Sequence, residues 1–417
     1  MESADEIKLS SKREIALIIF CFLAYTISYI TRYSYNANVN QIIEYYSIDK
    51  AQFGLVGTLF FAAYGTGQFI NAFLCRKYNK RIIIPIALTI SSALNLVLFF
   101  QPPFVIYKYL WLINGLTLSM LWPTLLQILA EHISTKNMKF SVIIMSTTTA
   151  VGTFVAYGIS AIFNHFQVYQ YIFLTALIFG LLMASSWFIF YPKLAAKPIN
   201  ISINSKKEEK VEDNAISNVS SKSIFIAILV AMGLLMLVCN LVKDGTTTWV
   251  PNILKESFGL GDSFSLTLTL VLPICGVFGT LVAVFINNKL KNYMSSSFLL
   301  MSVTTLTIGI VLIGLNFNIF ALALIMFGLI SLMMHGINNL LTSQAPLELK
   351  GEISGGLLGG LLNGCGYIGS TISSFGLGAI ADNLGWNGVF IFLIITSGVC
   401  SLIALVFIFI IKKVKSK

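Results

Sequence analysis

Apolar runs of about twenty residues, the length that spans a bilayer as helix, recur from one end of the chain to the other. They lie at 15–38, 51–74, 82–100, 104–131, 140–164, 168–191, 223–249, 262–286, 295–316, 318–346, 352–381 and 387–411. A backbone inside lipid must satisfy its own hydrogen bonds, so each run is expected as a helix crossing a hydrocarbon layer of about 30 Å. Only 11% of the 417 residues are charged, against 56% hydrophobic. The expected fold is an all-α membrane protein with twelve transmembrane helices, multi-pass in a lipid bilayer.

The formal charge of +10 suggests a nucleic-acid partner only until the cations are placed. Lys8, Lys12 and Arg13 precede the first run; Arg76, Lys77, Lys80 and Arg81 follow the second; Lys136 and Lys139 follow the fourth. Lys193, Lys197, Lys206, Lys207, Lys210 and Lys222 follow the sixth, Lys289 and Lys291 the eighth, Lys350 the tenth, and Lys412, Lys413, Lys415 and Lys417 end the chain. Alternating spans put all of these on one face, leaving Lys50, Lys108 and Lys255 on the other. Positive charge collects on the cytoplasmic side, so both termini are expected inside and no nucleic acid is implied. Residues 1–14 carry both charge signs and lead into a long apolar helix without a small-residue cleavage pattern, so no removable signal peptide is expected. The six cysteines fall within the runs or at their ends with no paired spacing. No disulfide framework, metal site or cofactor follows.

One polar stretch, "PKLAAKPINISINSKKEEKVEDNAISNVSSKS", interrupts the pattern and reads as a cytoplasmic linker over 192–222. It separates an N-terminal six-helix half, 1–191, from a C-terminal six-helix half, 223–417. Two cations remain inside helices, Arg32 and Lys243, each in the late part of the first helix of its half. An arginine at the centre of a transmembrane helix costs about 2.5–3.5 kcal/mol on insertion scales, so it calls for a reason. Transporters built from two related six-helix bundles place their substrate site at the bilayer midplane between them, and the two cations would approach one central cavity from opposite halves.

Helical spacing supports a polar cavity. Tyr25, Tyr29, Arg32 and Asn36 share one face of the first helix; Tyr64, Gln68 and Asn71 share one of the second. Asn240, Lys243 and Thr247, then His335, Asn339 and Thr342, then Asn363, Tyr367 and Thr371 repeat the pattern on helices seven, ten and eleven. Such stripes also arise from hydrogen bonds between helices, and an Arg32–Asp244 ion pair would explain part of the buried charge. An excess of cations over intramembrane acids nevertheless points to an anionic ligand: arginine offers a planar fork to phosphate or carboxylate oxygens, lysine a point charge. The scarcity of carboxylates in the helices favours exchange over a dedicated proton relay. No nucleophile–base pair, metal spacing or phosphate-cradling loop suggests an enzyme, and His335 reads as a hydrogen-bonded core histidine before it reads as a catalyst.

Four segments together resemble the organophosphate:phosphate antiporter family of the major facilitator superfamily, typified by glycerol-3-phosphate and hexose-phosphate transporters. "YITRYSYNAN" (29–38) is similar to the family's first-helix segment, so Arg32 matches its phosphate-binding arginine, with Tyr25 and Tyr29 at cavity positions. "NGLTLSMLWP" (114–123) resembles the helix-four signature, and "VKDGTTTWVPNILKESFGL" (242–260) the helix-seven segment that places Lys243 at the second cation. "GGLLNGCGYIGSTISSFGLGAIADNLGWNG" (359–388) resembles the glycine-rich helix eleven and its trailing Gly-Trp. The chain departs from the family at Gln68, where a lysine is usual, at Thr149, where the glycerol-phosphate type has histidine, and at Pro273, which replaces a glutamate. "CRKYNKR" (75–81) lacks the acidic residue of the loop between helices two and three, and Lys243 itself replaces arginine.

The resemblance implies the major facilitator fold of two pseudo-symmetric halves and a secondary active transporter. It would exchange an organic phosphate, of sugar phosphate or glycerol phosphate type, for inorganic phosphate by alternating access. Arg32 and Lys243 would bind the anion, Tyr25, Tyr29 and Tyr367 would shape the rest, and Gln68, Thr149, His335 and Asn363 would tune specificity. Another organic anion such as a carboxylate, and a transporter-fold ligand sensor, remain alternatives. The expected setting is the inner or plasma membrane, as a monomer.

The charge asymmetry makes a topological prediction. Single-cysteine or reporter-fusion mapping is expected to place both termini and residues 192–222 in the cytoplasm; labelling of the linker from outside would overturn the assignment.

Overall fold

The computed structural model describes residues 11–195, 219–345, 349 and 355–415. Lys8, Lys350, Lys417 and the linker segment 196–218, with Lys197, Lys206, Lys207 and Lys210, lie outside the described residues. Among the described residues the chain is helical and has no strand. The helices are α1 Ser11–Asn36, α2 Val39–Tyr46, α3 Lys50–Leu74, α4 Lys80–Phe99, α5 Phe104–Leu118, α6 Leu121–His132, α7 Thr135–His165 and α8 Tyr171–Leu194. There follow α9 Val219–Phe258, α10 Asp262–Thr269, α11 Val271–Leu290, α12 Tyr293–Asn316, α13 Phe320–Asn339 with a π turn at Leu340–Gln344, and α14 Gly355–Lys415.

Eleven helical stretches among the described residues are long and apolar enough to cross a membrane. The last of them, Leu358–Ile410, has 53 residues. At 1.5 Å per residue it would be about 80 Å long, far beyond one hydrocarbon layer. It is two spans, broken at Gly385, whose φ of 65° and ψ of −176° only glycine adopts without strain. The count is therefore the expected twelve.

Prolines shape the spans in ways that hydropathy alone does not show. The single runs expected at 104–131 and 262–286 are each broken, between α5 and α6 and between α10 and α11. A proline ring collides with the carbonyl four residues earlier; for Pro123 that is Ser119 and for Pro273 it is Thr269, where the breaks lie. Pro251, by contrast, is carried inside α9, which runs nine residues past the expected end at 249, because one lost ladder bond does not forbid a helix packed among others. Pro192 likewise stays within α8. The carbonyl it leaves without a ladder donor is that of Phe188, which accepts from Arg81 Nε at 3.3 Å. The polar stretch expected to begin at 192 and end at 222 thus yields its first and last few residues to helices.

By contact the chain forms two units, Met1–Asn36 with Ala63–Glu209, and Ala37–Ala62 with Lys210–Lys417. Residues 37–62 precede the linker in the chain yet pack with the helices that follow it.

In the first unit a fully buried amide network grips the back of α1. Asn95 accepts from Ser34 Oγ at 2.7 Å and donates to the Thr31 carbonyl at 2.8 Å. Asn114 accepts from Ser91 Oγ at 2.7 Å and donates to the same carbonyl at 3.4 Å. On the charge-rich side, buried Glu14 accepts from Ser134 Oγ at 2.8 Å and Asn137 Nδ2 at 2.6 Å, at the start of α7. Lys80 pairs with Glu131, which also accepts from Gln127 at 2.8 Å. The loop after α3 has a latch of its own without an acid: Tyr78 Oη donates to Asn71 at 2.5 Å, and Asn71 donates to Ser119 Oγ at 2.9 Å. Burial, with Cys75 beside it, pushes the Tyr78 phenol up from its usual range, which keeps it a donor.

In the second unit α2 and the first half of α3 dock on α9 and α14. Asp382 accepts from the backbone amides of Lys50 at 3.2 Å and Ala51 at 2.8 Å, capping α3. Lys50 Nζ lies 3.1 Å from Glu256, which accepts from Trp386 Nε1 at 2.8 Å. Lys255 bridges Glu44 at 3.2 Å and Asp262 at 3.0 Å, and Asn252 donates to Asn40 at 2.7 Å. Deeper, Thr58 Oγ donates to the Thr371 carbonyl at 2.7 Å. Small residues let the backbones approach, as at membrane helix crossings generally: a Cβ on Gly54 would stand 2.1 Å from the Ser374 carbonyl oxygen, and one on Gly369 2.0 Å from that of Leu237.

Gly54→Ala is therefore expected to force α3 and α14 apart and to lower the melting temperature by several degrees. Gly158→Ala, where a Cβ meets nothing within 4 Å, is expected to be neutral or stabilising by up to about 1 kcal/mol. Thermal unfolding of both variants in detergent checks the contrast; equal shifts would contradict it.

Candidate functional site

Arg32 is buried, 8% exposed, on the inner face of α1. Its guanidinium carbon lies 4.5 Å from the ring centre of Tyr29, 5.0 Å from that of Tyr33 and 5.2 Å from that of Tyr64. Each such face contributes about 0.5–1 kcal/mol when exposed and about 2 when dry, so three rings offset much of the cost of the buried charge. The phenols are in turn held. Tyr25 Oη is 3.0 Å from Tyr64 Oη, which accepts from Gln68 Nε2 at 2.9 Å, and Tyr29 Oη is 2.7 Å from Thr149 Oγ. Trp122 packs on Tyr25 at 4.7 Å between ring centres. Directly behind Arg32, Thr31 and Ser34 are the residues that the Asn95–Asn114 network grips. The register of α1 and hence the direction of Arg32 are fixed from both sides.

The second cluster belongs to the other unit. Lys243 Nζ donates to Asn240 Oδ1 at 2.5 Å and lies 3.6 Å from Asp244 Oδ1. Asp244 accepts from Ser370 Oγ of α14. Asn338 of α13 donates to Asn240 Oδ1 at 3.5 Å. A Cβ at Gly366 would stand 2.5 Å from Asn240 Nδ2, so the glycine lets this amide lie against α14.

The structure thus brings five expected residues of the first unit together: Arg32, Tyr25, Tyr29, Gln68 and Thr149. In the second unit it places Lys243 beside Asn240, with Asn363 and Tyr367 half-buried on α14, about one turn apart. His335 is turned to its own helix: its Nδ1 is 2.9 Å from the Ser331 carbonyl, and its ring packs where a Cβ on Gly276 would be. Sequence spacing did not single out Tyr33, Trp122, Asn338 or Ser370. For Tyr33 the signal was present, since Tyr25, Tyr29 and Tyr33 succeed one another at i+4. For Asn338 it was obscured by Asn339 next to it, whose Oδ1 is buried without a hydrogen bond.

Comparison with known proteins bears on the family and the fold. A model of the Major Facilitator Superfamily matches residues 21–357. The chain is 22% identical to a probable hexose phosphate transport protein of Chlamydia trachomatis over 92% of this chain and 88% of that one. It is also 22% identical to sugar phosphate exchanger 3 of Bos taurus, over 82% and 77% of the two chains. The fold is similar to the crystal structure of a bacterial homolog of the human lysosomal transporter Spinster, with a TM-score of 0.73 at 13% identity, covering 95% of this chain and 97% of that one. With twelve apolar spans, buried cations on their inner faces and a family match over most of its length, the chain is a membrane transporter that belongs to the Major Facilitator Superfamily.

Proposed function

We propose that the protein exchanges an organic phosphate, of sugar phosphate type, for inorganic phosphate by alternating access, in an inner or plasma membrane and with both termini in the cytoplasm. The observation that carries this reading is Arg32: a permanently charged fork, buried, backed by a rigid amide network and flanked by aromatic rings. Lipid-embedded charge of this kind is retained where a substrate uses it. Two parallel N–H groups of a guanidinium suit phosphate oxygens. Lys243 supplies the second cation as a point charge. Tyr25, Tyr29, Gln68 and Thr149 would orient the remainder of the substrate around Arg32; Asn363 and Tyr367 are candidates for the same role beside Lys243, and His335 for an indirect one through its packing on α11. The sugar phosphate relatives, one of them an exchanger by name, support the substrate class, and the scarcity of acids well inside the described spans, where Asp244 stands mid-helix, supports exchange.

Two measurements test the reading. In proteoliposomes preloaded with phosphate, counterflow of phosphate or a hexose phosphate is expected; strong uptake into empty vesicles on a pH gradient alone would overturn exchange, and binding without flux would make the protein a sensor. Arg32→Lys keeps the charge but loses the fork and should weaken binding about 10- to 100-fold, the value of one charge-assisted hydrogen bond. Arg32→Gln should abolish it, and Lys243→Arg should be tolerated. A folded Arg32→Gln variant with wild-type affinity would refute the site.

A further inference from the structure

Lys243 and Asp244 are consecutive in α9, and consecutive helical side chains point about 100° apart. Yet the lysine has come back to within 3.6 Å of the carboxylate. That distance is an ionic contact too long for a hydrogen bond. The only hydrogen bond the ammonium makes among the described residues is to Asn240. The carboxylate is fixed independently, by Ser370 on another helix, and the two side chains are 15% and 10% exposed. The cation is thus parked near a tethered anion by charge alone, with ammonium protons to spare. The other ionisable groups near the pair are Cys239 on α9, whose sulfur donates to the Met334 carbonyl, and His335 on α13, whose Nδ1 is engaged with Ser331.

We propose that Asp244 is a specificity-determining residue, a built-in counter-anion that holds Lys243 until an arriving anion takes its place. The inference rests on the reading of Lys243 as a binding cation. The pair is neutral as a whole, so an incoming anion gains the lysine only against the repulsion of a carboxylate that Ser370 prevents from moving away. A doubly charged phosphate feels that repulsion twice over. Asp244 therefore keeps the affinity for small bare anions low, and a substrate must bring further contacts, such as hydroxyls for the neighbouring amides of Asn240 and Asn338, to bind well. Inorganic phosphate has few of these to offer.

The experiment is calorimetric titration of the purified full-length protein with inorganic phosphate at fixed pH and ionic strength, with melting temperatures recorded alongside. Asp244→Asn can keep the Ser370 contact and removes the charge; it is expected to bind phosphate at least tenfold more tightly than wild type. Asp244→Glu keeps the charge and should stay within about twofold. An Asp244→Asn variant with unchanged or weaker affinity, or no measurable phosphate binding in either protein, overturns the proposal. If Asp244→Asn does not fold, Asp244→Ser takes its place under the same criterion; if neither folds, the pair is a structural ion pair and the proposal falls. Lys243→Gln separates the two levels. Wild-type affinity there would sink the binding role of Lys243 itself, whereas loss of binding there with no gain in Asp244→Asn would sink only the role of Asp244.

Discussion

Hydrocarbon offers no hydrogen bond, and the structure is organised around that refusal. Backbone groups are closed into helices, and side-chain polar groups that remain inside must find partners on their own helix or on a neighbour. Many serine and threonine hydroxyls do the first, returning to carbonyls three or four residues earlier, as Thr246 and Thr247 do in α9 and Thr304 and Thr307 in α12. Asparagines do the second. Asn95 and Asn114 are wholly buried and use both ends of their amides, so they join helices by bonds whose geometry tolerates little sliding. Where neither is needed, large apolar side chains face outward, such as Phe73 and Leu306, each 69% exposed in the absence of lipid.

Against this background the two buried cations are solved differently, and the difference is chemical. Arginine cannot lose its proton and spreads its charge over a plane, so it can rest against the faces of Tyr29, Tyr33 and Tyr64. Lysine concentrates its charge at one atom, and here an acid stands next to it. One unit of the protein therefore presents a cation softened by polarisable rings, the other a cation balanced by a fixed anion.

The sequence made the class of fold legible because hydropathy reports the cost of lipid directly: twelve runs became twelve spans. Residues that share a helix face were legible too, which is why Tyr25, Tyr29 and Arg32 emerged together and Gln68 with Tyr64. Breaks and partners across helices were harder to see. The chain breaks four residues before Pro123 and Pro273 but runs as helix through Pro251, a difference that the proline alone does not signal. Asn338 rather than Asn339 meets Asn240 because that choice depends on the rotation of α13, a tertiary quantity. The pairing of Lys243 with Asp244 ran against the 100° divergence of neighbours; four flexible methylenes let the lysine overcome it. The acid-free latch of Tyr78 and Asn71 shows that an interhelical restraint can persist after its familiar residues have gone.

The cap on α3 bears on how the chain is made. Its first amides, on Lys50 and Ala51, have their acceptor on Asp382, 332 and 331 positions later. At synthesis rates of about 5–20 residues per second, the acceptor emerges tens of seconds after the donors. Throughout that interval these two amides lack the acceptor they have in the complete structure. Asp49 is the local cap, accepting from Gln52 N at 2.6 Å, so a chain truncated before Asp382 loses only the acceptor of the first two amides. A residue made late caps a helix made early.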